Sequence, residues 1–345
     1  MTTRLAWGLA ACAVAAGCST PLVPPGPQGP LSPPARAGAM QTAGEILGRS
    51  DRFIVYRAGP DDTLRSIAAR FLGSESRYWT IGDFNNVNRA EPGQTLVVPL
   101  VTLNSVGVHA DQYQTVPILC YHRFGNGGGK MVVPTANFAA QLEWLARNDY
   151  HVVRLSQLLA YLEGRQALPK RSVVITIDDG YESVHRYALP LLRKHGFPAT
   201  LFVYTDFIGA GDALSWAQLQ DLAASGLVDI QAHSKTHRNL IERAPLETDQ
   251  QYRHGIETEA KAPRDILERR LPVQVRHYAF PFGDANDAVL DTLSRQRYEL
   301  AVTVNPGGNG FFAQPLMLRR TMIFGDHDLD AFTSRLQTSR AISAP

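Results

Sequence analysis

The chain has 345 residues, 44% of them hydrophobic, and a formal charge of +2. That is enough apolar matter for more than one buried core, while the near-balanced charge, with no long Lys/Arg run, argues against a nucleic-acid partner or an electrostatic grip on an anionic membrane. With only Cys12, Cys18 and Cys120 present, a disulfide framework is excluded.

Arg4 precedes an apolar stretch, Leu5 to Ala16, that is too short for a membrane span. It runs into Ala15-Ala16-Gly17-Cys18-Ser19, which resembles a bacterial lipoprotein signal, although Ala15 stands where such signals usually carry Leu. The resemblance implies a signal over residues 1–17 and a lipid on Cys18 that anchors the protein to a membrane of the cell envelope. Ser19, in place of the Asp linked to inner-membrane retention, points to the outer membrane. Residues 18–50 then read as a tether, with seven prolines between Pro21 and Pro34.

Residues 51–101 form one small unit. Phe53–Tyr56 is strand-like, and Leu64, Ile67, Ala68 and Phe71 fall on one helical face, with Asp62 as the expected N-cap. A second helix carries Tyr78, Trp79, Ile81 and Phe84, and Pro92-Gly93 turns the chain into Thr95–Val98. This order, with Asp62-Thr63-Leu64, Ile67-Ala68, Trp79, Asn85 and Pro92–Leu96, resembles the LysM module. The resemblance implies binding of glycans rich in N-acetylglucosamine, although the opening turn carries an extra residue.

After a linker at 102–114, residues 115–340 alternate strand-like and helical runs. The strands are Val116–Cys120, Ser172–Ile177, Thr200–Tyr204, Val228–Gln231, His277–Phe280 and Leu300–Val304. The helices are Asn137–Arg147, Ser156–Glu163, Tyr187–Lys194, Trp216–Ala224, one within Arg264–Arg270, and Asp287–Arg295. Parallel strands with crossover helices follow, as an α/β barrel of seven or eight strands or an open doubly wound sheet. Asp178, His233 and Phe282 come just after strands, where barrel enzymes place their sites, which favours the barrel.

Asp178-Asp179-Gly180 and His233-Ser-Lys-Thr-His237 carry the candidate chemistry. Two imidazoles four residues apart reach one ion if His233 opens a helical turn, and one of the two aspartates completes a three-ligand site. Neighbouring side chains diverge on an extended segment, so the other aspartate is left as a base. Such a set accepts Zn2+, Co2+ or Ni2+. Cys120, in the apolar run Val116–Cys120, is read as a small core residue. Arg319 and Arg320 follow Pro315–Leu318, and one of them is expected to pair with an acid near the site.

From about Val116 to Leu336 the chain resembles the polysaccharide deacetylases, the NodB-like domain of carbohydrate esterase family four. The resemblance rests on Val116–His122, Val174–Tyr181, Gly196–Val203, Ser215-Trp216, His233–Leu240 and Phe280–Gly283. It implies a deformed (β/α) barrel of about seven strands, with a divalent ion, most often zinc, on Asp179, His233 and His237. It also implies Asp178 as catalytic base and the backbone N–H of Phe282 as oxyanion donor. Tyr181 and Trp216 are candidates for a sugar groove. Two pieces depart from the family pattern: Ala279 stands where an Arg usually tethers the base, and a late Leu-x-His acid is missing, since His327 does not fit it. The branch acting on poly-N-acetylglucosamine lacks the same pieces and takes its acid from an early Tyr-His, which implies His122 here. The expected activity is removal of N-acetyl groups from a polysaccharide rich in N-acetylglucosamine, either peptidoglycan or an exopolysaccharide. The alternatives are a non-catalytic glycan-binding or export lipoprotein, and an esterase acting on O-acetylated xylan-like polymers.

Overall fold

The computed structural model describes residues 43–342; the signal, Cys18 and most of the tether lie outside them. Among the described residues no helix is long and apolar enough to cross a membrane.

The small unit is built on three antiparallel strands, β1 (Glu45–Arg49), β2 (Phe53–Arg57) and β3 (Thr95–Pro99), in the order β1-β2-β3. Two helices cover them, α1 (Leu64–Leu72) and α2 (Tyr78–Asn85). β1 falls in the stretch assigned to the tether, so the ordered unit starts several residues earlier than expected. The N-cap differs too. Thr63, not Asp62, caps α1: its hydroxyl accepts from Ser66 N at 3.0 Å and the Ser66 hydroxyl accepts from Thr63 N at 2.9 Å. Asp62 is drawn away by other donors, accepting from Gly59 N at 2.7 Å, Tyr56 Oη at 2.7 Å and Gly44 N at 3.1 Å. One carboxylate thus joins the entry to β1, the core of β2 and the turn before α1. Ile54, Tyr56, Leu64, Ile67, Ile81, Leu96 and Val98 close a core of their own.

The larger unit opens with β4 (Gln112–Gln114), which pairs with β16 (Ser339–Ala341), and β5 (Val116–Tyr121); a short pair, β6 (Arg123–Phe124) and β7 (Val132–Val133), follows. Then come α3 (Thr135–Arg147), β8 (His151–Val152), α4 (Leu155–Leu162), β9 (Ser172–Ile177), α5 (Leu189–His195) and β10 (Ala199–Val203). The second half runs α6 (Trp216–Ala224), β11 (Val228–Ala232), α7 (Asp249–Arg270), β12 (His277–Ala279), α8 (Asp287–Arg295) and β13 (Leu300–Val302). β14 (Gly308–Asn309), β15 (Thr321–Met322) and α9 (Leu329–Thr333) finish it.

The sheet runs β13-β12-β11-β10-β9-β5-β14, with β8 added to β9 and β15 to β5. Neighbours from β13 to β5 are parallel. Every residue of β5, β9 and β10 is buried, as expected for strands covered on both faces. The chain from Leu318 to Met322 touches both ends of the curl. Leu318 pairs with Val302 of β13, and Thr321 and Met322 pair with Leu119 and Cys120 of β5. The sheet is therefore a curled (β/α) barrel, and that segment closes it. α7 is far longer than the helix expected within Arg264–Arg270. It starts at a Thr248/Gln251 capping box and carries Pro263 inside, buried against the core with Tyr252, Ile256 and Leu267.

Candidate active site

The candidate ligands and acid–base side chains, Asp178, Asp179, His122, His233 and His237, follow the C-terminal ends of the parallel strands β5, β9 and β11. β9 ends at Ile177, and the chain turns sharply there: Asp179 has φ 75° and Gly180 φ 91°. A Cβ on Gly180 would come within 2.9 Å of Val203 Cγ1, so only glycine fits. The left-handed Asp179 sends the two neighbouring carboxylates to different partners, at a backbone cost typical of functional turns.

Asp179 meets the two imidazoles. Its Oδ1 lies 3.4 Å from His233 Nε2 and 3.3 Å from His237 Nε2. The histidines do not share a helix, as the i, i+4 spacing suggested. They sit on a loop after β11 in which Ser234 has φ 71° and His237 φ 65°. The loop is held from beneath by Glu259 of α7. Its Oε2 accepts from Lys235 N at 2.8 Å and Thr236 N at 2.9 Å, and its Oε1 from Thr236 Oγ1 at 2.7 Å. Glu259 is buried, and nothing local in its polar stretch of sequence marked it as a support for the site.

The three donors fit a metal ion. Asp179 Oδ1 is buried and has no hydrogen-bond partner among the described residues. A tetrahedral ion with bonds of about 2.0–2.1 Å sets its ligands roughly 3.3–3.4 Å apart, which matches the two separations. His233 Nδ1 donates to Ala279 O at 2.8 Å, leaving Nε2 with its lone pair toward Asp179. Burial by itself would raise the Asp179 pKa; the His233 and His237 rings outweigh it and keep the acid ionised.

Asp178 is held apart from that set. Arg320, buried in the segment that closes the barrel, grips it with both ends of its guanidinium: Nη1 to Oδ1 and Nη2 to Oδ2, each at 2.7 Å. Arg320 Nε also donates to Thr303 O at 2.8 Å. Burial would push the Asp178 pKa up, but the Arg320 charge reverses it and the carboxyl is held below its usual range. The tether missing at Ala279 is thus supplied from the segment that closes the barrel, just before β15. Of the two arginines singled out in sequence, Arg320 makes the pair; Arg319 instead donates from Nη1 to Pro306 O.

Cys120, fully buried, points its thiol at Asp178 Oδ2 at 3.5 Å. Single ligand-type atoms of Cys120, His122 and Asp178 lie within 4.8 Å of one another, which places the His122 ring beside the base. Burial lowers the His122 pKa against the pull of Asp178 and Asp179. Phe282 has φ 61°, and its exposed ring packs edge-on to His237 at 5.1 Å. Tyr204 stacks on Phe207 at 5.0 Å and touches the other side of His237 at 5.0 Å, a wall that sequence reasoning did not identify. Tyr181 adjoins Phe207 and lies under the Arg123 guanidinium at 3.6 Å. Trp216, the first residue of α6, is half-buried against the core, with Arg270 over its ring at 4.6 Å. His327 is tied up by Phe324 N and Arg335, consistent with its not fitting the acid motif.

A family model described as polysaccharide deacetylase matches residues 165–301, spanning β9, the Asp178-Asp179 turn, the histidine loop and Phe282. The barrel is similar to the polysaccharide deacetylase domain. A putative polysaccharide deacetylase, YxkH, of Bacillus subtilis is 27% identical, over 59% of this chain and 69% of that protein. A poly-beta-1,6-N-acetyl-D-glucosamine N-deacetylase of Escherichia coli is 25% identical over 51% of this chain; the match spans only 31% of that relative. Among solved structures, IcaB from Ammonifex degensii superposes on this chain with a TM-score of 0.59 and 25% identity, over 65% of this chain and 98% of that one. The Streptococcus pyogenes deacetylase PplD, in complex with acetate, shares the fold with a TM-score of 0.58 and 23% identity, over the same shares.

Proposed function

We propose that the protein is a metal-dependent polysaccharide N-deacetylase acting on a polymer of N-acetylglucosamine. The observation that carries this reading is an ionised, unligated Asp178, held by Arg320, beside a donor set that fits one ion. The poly-beta-1,6-N-acetyl-D-glucosamine deacetylases among the relatives support an exopolysaccharide as the polymer.

Asp179, His233 and His237 would hold the divalent ion, with zinc the best match to two imidazoles and a carboxylate. When bound there, it supplies Lewis-acid activation of water and of the acetyl carbonyl. Asp178 takes a proton from the attacking water at its carboxylate, and Arg320 keeps that carboxylate ionised and aimed. The Phe282 N–H donates to the oxygen on which negative charge grows. The C–N bond breaks as the amine leaves with a proton from the His122 ring, giving a free amine and acetate. Burial holds His122 toward its neutral form at rest, so the acid role requires the proton that Asp178 takes from water to pass to the ring as charge develops on the acyl group. Tyr181, Tyr204 and Phe207 offer stacking faces to the sugar.

The β-strand and helix order of the small unit supports a LysM-like glycan binder feeding polymer to the enzyme. The sequence around Cys18 supports a lipid anchor at the cell envelope, in the outer membrane.

The test is acetate release from poly-β-1,6-N-acetylglucosamine and chitin oligomers, with metal content measured on the same protein. Release that stops with a chelator and in Asp178→Asn is expected. Release from acetylated xylan alone would establish the esterase alternative, and no release from any polymer a binding or export role.

A further inference from the structure

The small unit packs against the barrel at the end away from the catalytic groups. Lys170, two residues before β9, reaches it: Lys170 Nζ donates to Asp83 O at 2.9 Å and Lys170 N to Asp83 Oδ2 at 3.0 Å. Tyr78 of α2 meets His151 at the start of β8, ring centroids 5.7 Å apart. Asp178 follows the other end of β9. Six residues at about 3.3 Å each separate the two ends by roughly 20 Å.

Between the two units lies a cleft of about 1100 Å³. Ligand pockets are commonly about 300–1,000 Å³, so this one has room for several sugar rings. Its lining combines cations with aromatic faces. Arg65, Arg77 and Lys170 line it, and none of the three has a carboxylate within 4.0 Å among the described residues. Arg65 instead covers the Tyr78 ring at 4.0 Å, and Arg77 Nη1 donates to Leu72 O at 3.2 Å. Trp79, Phe84 and Phe197 also line the cleft, and Phe84 is exposed. Asp83, the carboxylate on this wall, is already occupied by Lys170 N. A cationic wall of this kind would repel the amine-bearing product of deacetylation, and neutral N-acetylglucosamine gains nothing from it.

We propose that this cleft is a second polymer-binding site, for a stretch of glycan bearing carboxylate or phosphate groups. Trp79, Phe84 and Phe197 take the sugar faces, and Arg65, Arg77 and Lys170 pair with the anions. The site holds an acidic polymer at one end of the barrel and leaves the catalytic end free. It does not depend on the deacetylase reading.

The experiment is calorimetric titration of the intact, metal-loaded protein with an oligogalacturonate, a poly(glycerol phosphate) and chitohexaose. One or both anionic probes should bind, which also tells carboxylate from phosphate. Affinity should fall at least about tenfold on raising NaCl from roughly 0.05 to 0.3 M, because exposed charge pairs are screened. Arg77→Ser and Trp79→Ala should each weaken that binding about fivefold or more, and a saturating anionic probe should leave acetate release from chitohexaose unchanged. Failure of both anionic probes to bind, binding indifferent to salt, or competition with chitohexaose at the catalytic end would overturn the proposal. The salt series needs no substitution, so a poorly folding variant leaves it decisive. The binding arms also stand if no acetate is released at all.

Discussion

Replacing Arg320 by Leu isolates the charge pair at the centre of the site. In the native protein both charges are buried and satisfied: Asp178 receives two bonds from the guanidinium, and Arg320 Nε and Nη1 reach Thr303 O and Thr176 Oγ1. Breaking a buried pair from one side costs about 3–5 kcal/mol, since the remaining charge keeps its desolvation penalty. That is a large share of an ordinary domain's stability, about 5–15 kcal/mol. The pH dependence has a definite sign. Wild-type Asp178 has a depressed pKa, so its contribution is present above the unfolded value of about 3.9 and is lost as pH falls through the folded value. In Arg320→Leu only the His233 and His122 charges still oppose burial, so the pKa moves up from its wild-type position. The stability that ionised Asp178 contributes above about pH 3.9 is correspondingly reduced. The stability gap between the two proteins should be widest near neutrality and narrow in acid. A protonated Asp178 is also no base, so acetate release near neutral pH should fall about 10²–10⁴-fold. Urea unfolding of chelator-treated protein across pH, with acetate assays on the metal-loaded protein, reads both effects. Adding Asp178→Asn to Arg320→Leu should restore part of the stability and none of the activity. A gap below about 0.5 kcal/mol, or one that grows in acid, would refute the reasoning.

Glu259→Gln tests the support beneath the histidine loop. It keeps the shape but removes the charge that accepts from Lys235 N, Thr236 N and Thr236 Oγ1, so a loss of about 1–3 kcal/mol is expected. Metal affinity, read by competition with a chromogenic chelator, should fall about 10–100-fold; an unchanged affinity would mean that the loop holds its shape alone. Gly283→Ala tests the strand end that carries Phe282. Gly283 has φ 82°, and a Cβ there would lie 2.6 Å from Val304 N. Strain of about 1–3 kcal/mol should displace the Phe282 N–H and lower kcat more than it raises KM. A variant with wild-type kcat would remove Phe282 from the oxyanion role.

What the sequence disclosed was what local pattern can carry. The expected runs Ser172–Ile177, Trp216–Ala224 and Asp287–Arg295 coincide with β9, α6 and α8, because each has a hydrophobic period of its own. α7 was read short because Gly255, Pro263 and many charges mask it. Its buried stripe of Tyr252, Ile256, Ala260, Pro263 and Leu267, opened by Thr248 and Gln251, was the signal available. Asp179, His233 and His237 were recognisable as a set, yet the helical turn expected to join the histidines is a loop with left-handed residues. Such turns depend on Glu259 from a distant helix, and spacing cannot reveal that. The Arg320–Asp178 pair spans 142 positions. Composition near Arg320 allowed a guess at an acid partner but could not choose between it and Arg319.

The closing segment Leu318–Met322 leaves the ribosome after the parallel strands β5 to β13, yet it carries the cation that Asp178 requires. A chain released up to β13 would already possess Asp179, His233 and His237, with the neighbouring acid stranded in an apolar interior. Such a fragment could capture an ion and still be chemically silent. The acid–guanidinium pair is thereby completed only after β5 to β13 have all been made.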